Sequence, residues 1–323
     1  MQIEPKIAII GASGFVGANL LNGLVKNNLN AHGFARSQSP WRIEAFQLEN
    51  YYSYIGKSLN QTLTAYNPNV VINAATHGAY SFQQDEKSII DSNLEVINEI
   101  VNWAKVTSIQ LIHLGTSSEY GANSNRPLET GLCEPNSKYA EAKLETTLFL
   151  KSAYELFGLK STVLRLYSIY GPLEDPSRLM PTLVNKIIND ETITLTDSEV
   201  SRDFIYIQDL IDLIGELIKR HNEILGFEIY NVASGKKTTM GDLAGTLNEL
   251  FPNNKGISFG YPMRNWDLKE WVGNPEKILR KYGWKSSISL TEGMMKLMEF
   301  YLVNDNQKYL QTAFSKRKND KQK

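Results

Sequence analysis

The chain contains a single cysteine, Cys133, among its 323 residues, so no disulfide can form within it. Its four histidines, His32, His77, His113 and His221, are scattered without metal-ligand spacing, and no metal centre is expected. Neither sign of charge is in excess: 34 basic and 35 acidic side chains leave a formal net charge of −1. That balance carries no electrostatic footprint for nucleic acid or an anionic membrane surface. Apolar runs reach only about 5–6 residues, far short of the roughly 20 needed to cross a bilayer. The opening stretch MQIEPKIAIIGASG enters a strand and a glycine motif directly, without the apolar core of an export signal. A cytoplasmic chain without internal repeats is expected.

What is present is a core-forming composition, 42% hydrophobic, in an alternating pattern. Strand-like segments fall at 6–10, 31–35, 69–75, 109–114 and 160–167. Between them lie stretches with apolar residues at i, i+3 and i+4, notably 88–104 and 139–158. Strand–helix alternation predicts an α/β fold, a doubly wound parallel sheet with helices on both faces. After about residue 170 the pattern turns irregular, mixing a short strand at 257–260 with helices at 239–251 and 290–302. This reads as a smaller mixed α/β C-terminal domain. The division expected is 1–168 for the sheet domain and 169–310 for the second, with FIYI (204–207) and EIYNVA (228–233) returning to the sheet. The charged tail 311–323 lacks apolar anchors and is expected to be disordered.

Three segments carry chemistry. The first strand runs into GASGFVG, with Gly11, Gly14 and Gly17, followed by a helical pattern. Glycines in that context let the backbone approach a pyrophosphate, whose charge then lies at the helix amino terminus. The spacing is G-x-x-G-x-x-G rather than the commoner G-x-G-x-x-G. At the end of the second strand, where an acid would bind the ribose 2′-hydroxyl of NAD, stand Ala35, Arg36 and Ser37. A guanidinium can hold a 2′-phosphate that a carboxylate would repel, so NADP is favoured and NAD is the alternative. A solvated loop arginine is the plainer reading of Arg36.

The second segment, GTSSEYG (115–121), puts hydroxyls, a carboxyl and a phenol at the end of an apolar strand, where open α/β sheets bind ligands. The third, YAEAK, places Tyr139 and Lys143 four apart on one helical face. A nearby ammonium stabilises a phenolate and lowers its pKa from the usual value of about 10 toward the range of proton-transfer catalysis.

Together with VINAAT, DSNLEVIN, LRLYSIYGP, SRDFIYIQDL, YNVASG and PMRNWD, these motifs resemble the extended short-chain dehydrogenases/reductases that modify nucleotide sugars, over about residues 5–302. The resemblance implies a Rossmann domain followed by a nucleotide-sugar domain. It implies cofactor contacts from Gly11, Ser13, Gly14, Phe15, Val16, Gly17, Ala74, Ala75, Thr76 and Asn93, beside Arg36 and Ser37. It gives Thr116 the reacting sugar oxygen, Tyr139 the acid/base role, and Lys143 the nicotinamide ribose and the tuning of Tyr139. On the substrate side it points to Arg202 and Arg264 for the diphosphate and Asp267 for the nucleotide ribose. Ser168 stands where the family often has asparagine. Ser117 and Ser118 follow Thr116, while His77 and Tyr80 border the sugar. Surface ion pairs for the arginines and ordinary loop packing for residues 76–84 are the structural alternatives.

Dehydratases of this family carry a glutamate as base at the position of Ser118, and a hydroxyl cannot serve. Glu119 comes one step late and on an extended segment would face away. Two reactions at sugar C4 remain: an NADPH-dependent 4-ketoreductase, read first because of Arg36, and an NAD-recycling 4-epimerase. A silent nucleotide-binding regulator is a third reading, opposed by the intact Thr116, Tyr139 and Lys143. Asp209 is expected to cap the helix that follows it. The helices 88–104 and 139–158 carry apolar residues on more than one face (Leu94, Ile97, Val101 and Trp103; Leu148, Leu150 and Leu156). They are expected to pair into a four-helix bundle across a homodimer.

Overall fold

A computed structural model describes residues 4–38, 40–80, 82–263, 268–303 and 306–310. Seven strands form one sheet: β1 (Ile7–Ile10), β2 (Ala31–Ala35), β3 (Tyr51–Ser53), β4 (Val70–Asn73), β5 (Gln110–Thr116), β6 (Ser161–Leu166) and β7 (Phe227–Val232). Their order is β7-β6-β5-β4-β1-β2-β3, and every pair is parallel. Side chains alternate across β1. Ile7 and Ile9 enter a core with Leu20, Leu21 and Leu24 of α1 (Phe15–Lys26). Ala8 and Ile10 enter a second core with Leu63 of α2 (Leu59–Tyr66) and with Ile97, Ile100 and Val101 of α3 (Val96–Ala104). Both faces are therefore apolar, which is why the strands read as unbroken hydrophobic runs. The sheet is doubly wound, as its sequence pattern predicts.

The chain leaves β1 toward β2 on one side, while β4, paired to β1 on the other, leads toward β5. The crevice beyond the carboxyl ends of β1 and β4 is thus the topological switch point, where such sheets bind ligands. Residues after 170 add helices Leu179–Ile188, Met240–Leu250 and Leu290–Leu302 and two-stranded pairings such as Ile193–Leu195 with Ile257–Phe259. Met180, Leu183, Leu243 and Leu297 from this region join the same core as α1. No helix among the described residues is long and apolar enough to cross a membrane.

Four expectations need correction. The expected helix 88–104 is interrupted: Glu86–Ile90 is α-helical, Asp91–Glu95 is a π-turn, and α3 resumes at Val96. Inside that turn Asn93 donates to the Ile89 carbonyl at 2.7 Å, its amide capturing an acceptor one turn back. Second, Phe204–Tyr206 pairs with Ser168–Tyr170 outside the main sheet, so only Phe227–Val232 returns to it. Third, the short edge strand β3 carries no apolar alternation and was not expected.

The fourth concerns Asp209. It lies inside α5 (Ile207–Lys219), whose N-cap is Tyr206, and it does not cap that helix. Its buried carboxylate instead accepts from Ser287 N at 3.0 Å, Ser287 Oγ at 2.8 Å and Ile288 N at 3.3 Å. It pins a distant loop to α5. Asp209→Ala strands those donors and should lower unfolding free energy by about 2–4 kcal/mol. Denaturant titration checks it, and a loss below about 1 kcal/mol would show that the anchor is redundant.

Candidate active site

The site begins at the switch point. Gly11 has φ +83°, and a Cβ there would lie 2.5 Å from Ala75 N. A Cβ on Gly17 would meet Gly11 O at 2.4 Å. Only glycine lets the turn fold against both β4 and α1. The first turn of α1 has no acidic residue, and its N-cap, Gly14, makes no side-chain hydrogen bond. First-turn N–H groups without a side-chain acceptor, at the positive end of a helix dipole, fit a dinucleotide diphosphate. Ser13, Phe15 and Val16 belong to the same turn. Arg42, which the sequence reading missed, ties it down: its Nη1 donates to Ser13 O at 3.4 Å and its Nε to Leu173 O at 2.8 Å, with Trp41 stacked at 4.3 Å.

At the end of β2, Ala35 is buried and Arg36 is exposed. Arg36 Nη2 reaches Ser92 Oγ at 3.4 Å, and no carboxylate among the described residues pairs with it. The Ser37 carbonyl accepts from Tyr51 Oη at 2.6 Å. Ala74, Ala75 and Thr76 follow β4 into the crevice. Asn93 is buried and committed to that loop: it donates to His77 O at 2.9 Å and accepts from Thr76 Oγ1 at 3.2 Å.

Thr116 and Tyr139 come together, and Lys143, one turn further along the helix, is held beside β5. Thr116 ends β5; Tyr139 and Lys143 lie on α4 (Lys138–Phe157), whose N-cap Ser137 accepts from Ala140 N. The hydroxyls of Thr116 and Thr76 reach the Tyr139 phenol. Burial raises the pKa of this phenol, while the two threonine hydrogen bonds and nearby Arg178 pull it down. Lys143 is only 2% exposed, and burial brings its ammonium down to about 8. Its Nζ donates to Leu114 O at 2.6 Å and lies 3.3 Å from His113 Nε2.

Beneath them lies a buried ion pair. Residues Ser117–Tyr120 form a 3-10 turn rather than an extended segment, yet Glu119 still faces the core. It accepts from Thr116 N at 3.0 Å, Thr147 Oγ1 at 3.0 Å and Arg165 Nε at 2.9 Å. A Cβ at position 115 would sit 2.7 Å from its Oε1, so Gly115 makes room for the carboxylate. Fully committed, Glu119 is no base for a substrate. Ser117 is buried too, its Oγ accepting from Trp271 Nε1 at 3.0 Å, whereas Ser118 remains partly exposed and shares a 3.2 Å hydrogen bond with Thr116 Oγ1.

In the loop after β4, His77 Nδ1 lies 3.1 Å from Gln83 Nε2, and Tyr80 stacks on Phe82. Arg178, also missed from sequence, covers the Tyr80 ring at 5.7 Å and pairs with Glu174 at 3.6 Å. Ser168 sits in the strand Ser168–Tyr170. Arg202 Nη1 donates to Ser201 O at 2.8 Å and Leu268 O at 2.9 Å and lies over Trp271. Arg264 and Asp267 lie outside the described residues. Among the described residues no cluster could hold a metal ion.

A glycine cradle at the switch point, faced by a tyrosine and a lysine one helical turn apart, defines a dinucleotide-dependent enzyme of the doubly wound class. The chain belongs to the NAD dependent epimerase/dehydratase family, whose model matches residues 7–233, and thus to the extended short-chain dehydrogenases/reductases. It is similar to Protein CapI of Staphylococcus aureus, 24% identical over 92% of this chain and 98% of that one. It is similar to dTDP-4-dehydro-6-deoxyglucose reductase of Escherichia coli, 26% identical over 91% and 96%. UDP-glucose 4-epimerase of Thermotoga maritima, solved with UDP-glucose, shares the fold: TM-score 0.82 at 23% identity, covering 92% and 98%.

Glu119→Ala leaves a buried guanidinium unpaired and should cost about 3–5 kcal/mol. Glu119→Leu with Arg165→Met should recover most of that stability, since apolar replacement of a buried pair is often neutral. Activity should stay low in the double variant, because Thr116 N–H has lost its acceptor. Thermal unfolding and turnover, measured together, check this; full activity in the double variant would show that Glu119 does not position Thr116.

Proposed function

We propose that the chain reduces a nucleotide-diphosphate 4-keto-6-deoxyhexose at C4 with NADPH. The observation that carries this reading is Arg36, exposed at the end of β2 with no carboxylate among the described residues paired to it. A guanidinium there suits the 2′-phosphate of NADP. A nicotinamide bound in the crevice would supply the hydride. The protein's own groups handle the oxygen: Thr116 Oγ1 holds O4, Tyr139 delivers the proton to it, and the Lys143 ammonium offsets the phenolate left behind. Arg202, with Arg264 and Asp267 at the family's matching positions, is assigned to the diphosphate and nucleotide ribose. Ser118, Ser168, His77 and Tyr80 are assigned to the sugar. Residues 169–310 then form the nucleotide-sugar half.

A second reading, an NAD-dependent nucleotide-sugar 4-epimerase, is favoured by the epimerases among the similar proteins. The same residues serve it, with Tyr139 taking and returning the O4 proton. The two readings differ in stoichiometry. With NADPH and a panel of nucleotide 4-keto-6-deoxy sugars, the reductase consumes cofactor mole for mole. Isomer interconversion of nucleotide hexoses without net cofactor change would instead establish the epimerase. Calorimetry should give NADP(H) about tenfold or more tighter than NAD(H), a preference that Arg36→Ala abolishes; equal affinities in the native protein would sink the Arg36 argument.

A homodimer is proposed on revised grounds. Of the apolar residues carried by 88–104 and 139–158, Ile97, Val101, Trp103 and Leu150 are buried within the chain. Leu148 at 56% and Leu156 at 79% do stand exposed on α4, with Phe149 beside them. This face of α4 suits a two-fold helix pairing. Light scattering should give twice the 36.5 kDa chain mass; a concentration-independent 36.5 kDa would refute the dimer.

A further inference from the structure

The side chains behind Lys143 form a hydrogen-bond chain with a fixed direction. Ala75 N–H donates to Asn73 Oδ1 at 3.1 Å. That sets the Asn73 amide, because the opposite orientation would turn its NH₂ toward another N–H. Asn73 Nδ2 then donates to His113 Nδ1 at 3.1 Å. A neutral imidazole that accepts at Nδ1 carries its proton at Nε2. Here Nε2 lies 3.3 Å from Lys143 Nζ.

Two donors cannot satisfy each other. With the proton on Nε2, Lys143 completes the chain as a neutral amine, whose lone pair accepts while one of its N–H bonds donates to Leu114 O. An ammonium at the same place faces Nε2–H as a second donor and gains no acceptor there unless the imidazole changes tautomer and breaks with Asn73, so the charged form is disfavoured. Protonating His113 as well is no remedy: it is 1% exposed, and burial, helped by Lys143, holds its pKa well below the usual value. Nor is the chain a proton wire, since it ends on an amide.

We propose that His113 is a positioning residue for Lys143: held by Asn73 as the Nε2–H tautomer, it orients Nζ and stabilises the neutral amine against the ammonium. The groups facing Lys143 are few. His113 and the Leu114 carbonyl come from β5, Tyr139 lies one turn back on α4, and Glu119 acts from the turn after β5. Glu119 opposes the effect by favouring the charged form, whereas burial works with His113 and leaves the lysine at about 8. Support for the Tyr139 phenolate is therefore present below that pH and fades as pH rises through it. This inference deepens the assignment of Tyr139 and Lys143 as the acid/base pair and rests on it for its catalytic meaning.

The tautomer can be read without substrate, so it stands or falls separately from the assigned reaction. The chain has four histidines, and nitrogen NMR of histidine-labelled protein can be assigned by comparison with His113→Leu. His113 should stay neutral and protonated at Nε2 from roughly pH 6 to 9. The Lys143 Cε resonance, assigned with Lys143→Met, should titrate near pH 8. Asn73→Asp accepts from Nδ1–H and reverses the chain, leaving Nε2 to accept from an ammonium. Its Lys143 midpoint should rise by about one pH unit, the size of one buried hydrogen bond. His113→Leu removes the donor without adding charge and should move the midpoint in the same direction. The alkaline limb of turnover should follow both shifts. An Nδ1–H tautomer or an imidazolium in the native protein would overturn the proposal, as would a Lys143 midpoint unmoved by both variants.

Discussion

The ion pair between Glu119 and Arg165 is the constraint on which the site depends. Two unpaired charges with side chains at most 3% exposed would each cost several kcal/mol. The pair is tolerable because every strong donor around the carboxylate is used. Glu119 holds the backbone of Thr116 at the end of β5, Thr147 one turn beyond Lys143 on α4, and Arg165 in β6. Arg165 in turn donates to Glu129 O and covers the Tyr120 ring, and Tyr120 Oη donates to Asn231 in β7. One carboxylate thus sets the distance between the strand that carries Thr116 and the helix that carries Tyr139 and Lys143. Apolar packing could hold these elements together, but it would not orient Thr116 N–H.

Above that floor, burial moves the two titrating groups apart. The Tyr139 phenol rises and the Lys143 ammonium falls. Each shift disfavours the charged form, so burial alone opposes both a phenolate and an ammonium in the cleft. The threonine hydroxyls and Arg178 lower the phenol again.

Much of this was legible in the chain. Continuous apolar runs revealed the parallel strands, because both faces of the sheet are covered. The glycine loop and the tyrosine–lysine spacing pointed to the crevice and to one helix face. Other features depend on contacts distant in sequence. The π-turn arises from one asparagine amide competing for a backbone carbonyl, and β3 is an edge strand with Tyr52 half exposed, so no apolar pattern marks it. Asp209 looked like a cap because its partners, Ser287 and Ile288, lie far along the chain. Arg165 did leave a signal: a charge within the apolar run STVLRL requires a buried partner, and Glu119 was the carboxyl at hand. His113, alternating with apolar neighbours in IQLIHL, left a fainter one.

The central claim is that Tyr139 moves the proton at the reacting oxygen while the cradle and Lys143 hold the cofactor. It is tested most directly by comparing Tyr139→Phe with the native protein in turnover and in cofactor binding. Loss of the phenol should lower kcat by about 10²–10⁴-fold, the range of a lost general acid or base, with cofactor affinity nearly unchanged. A variant that keeps kcat within about threefold of native would contradict the account, because general acid–base catalysis at that position contributes far more.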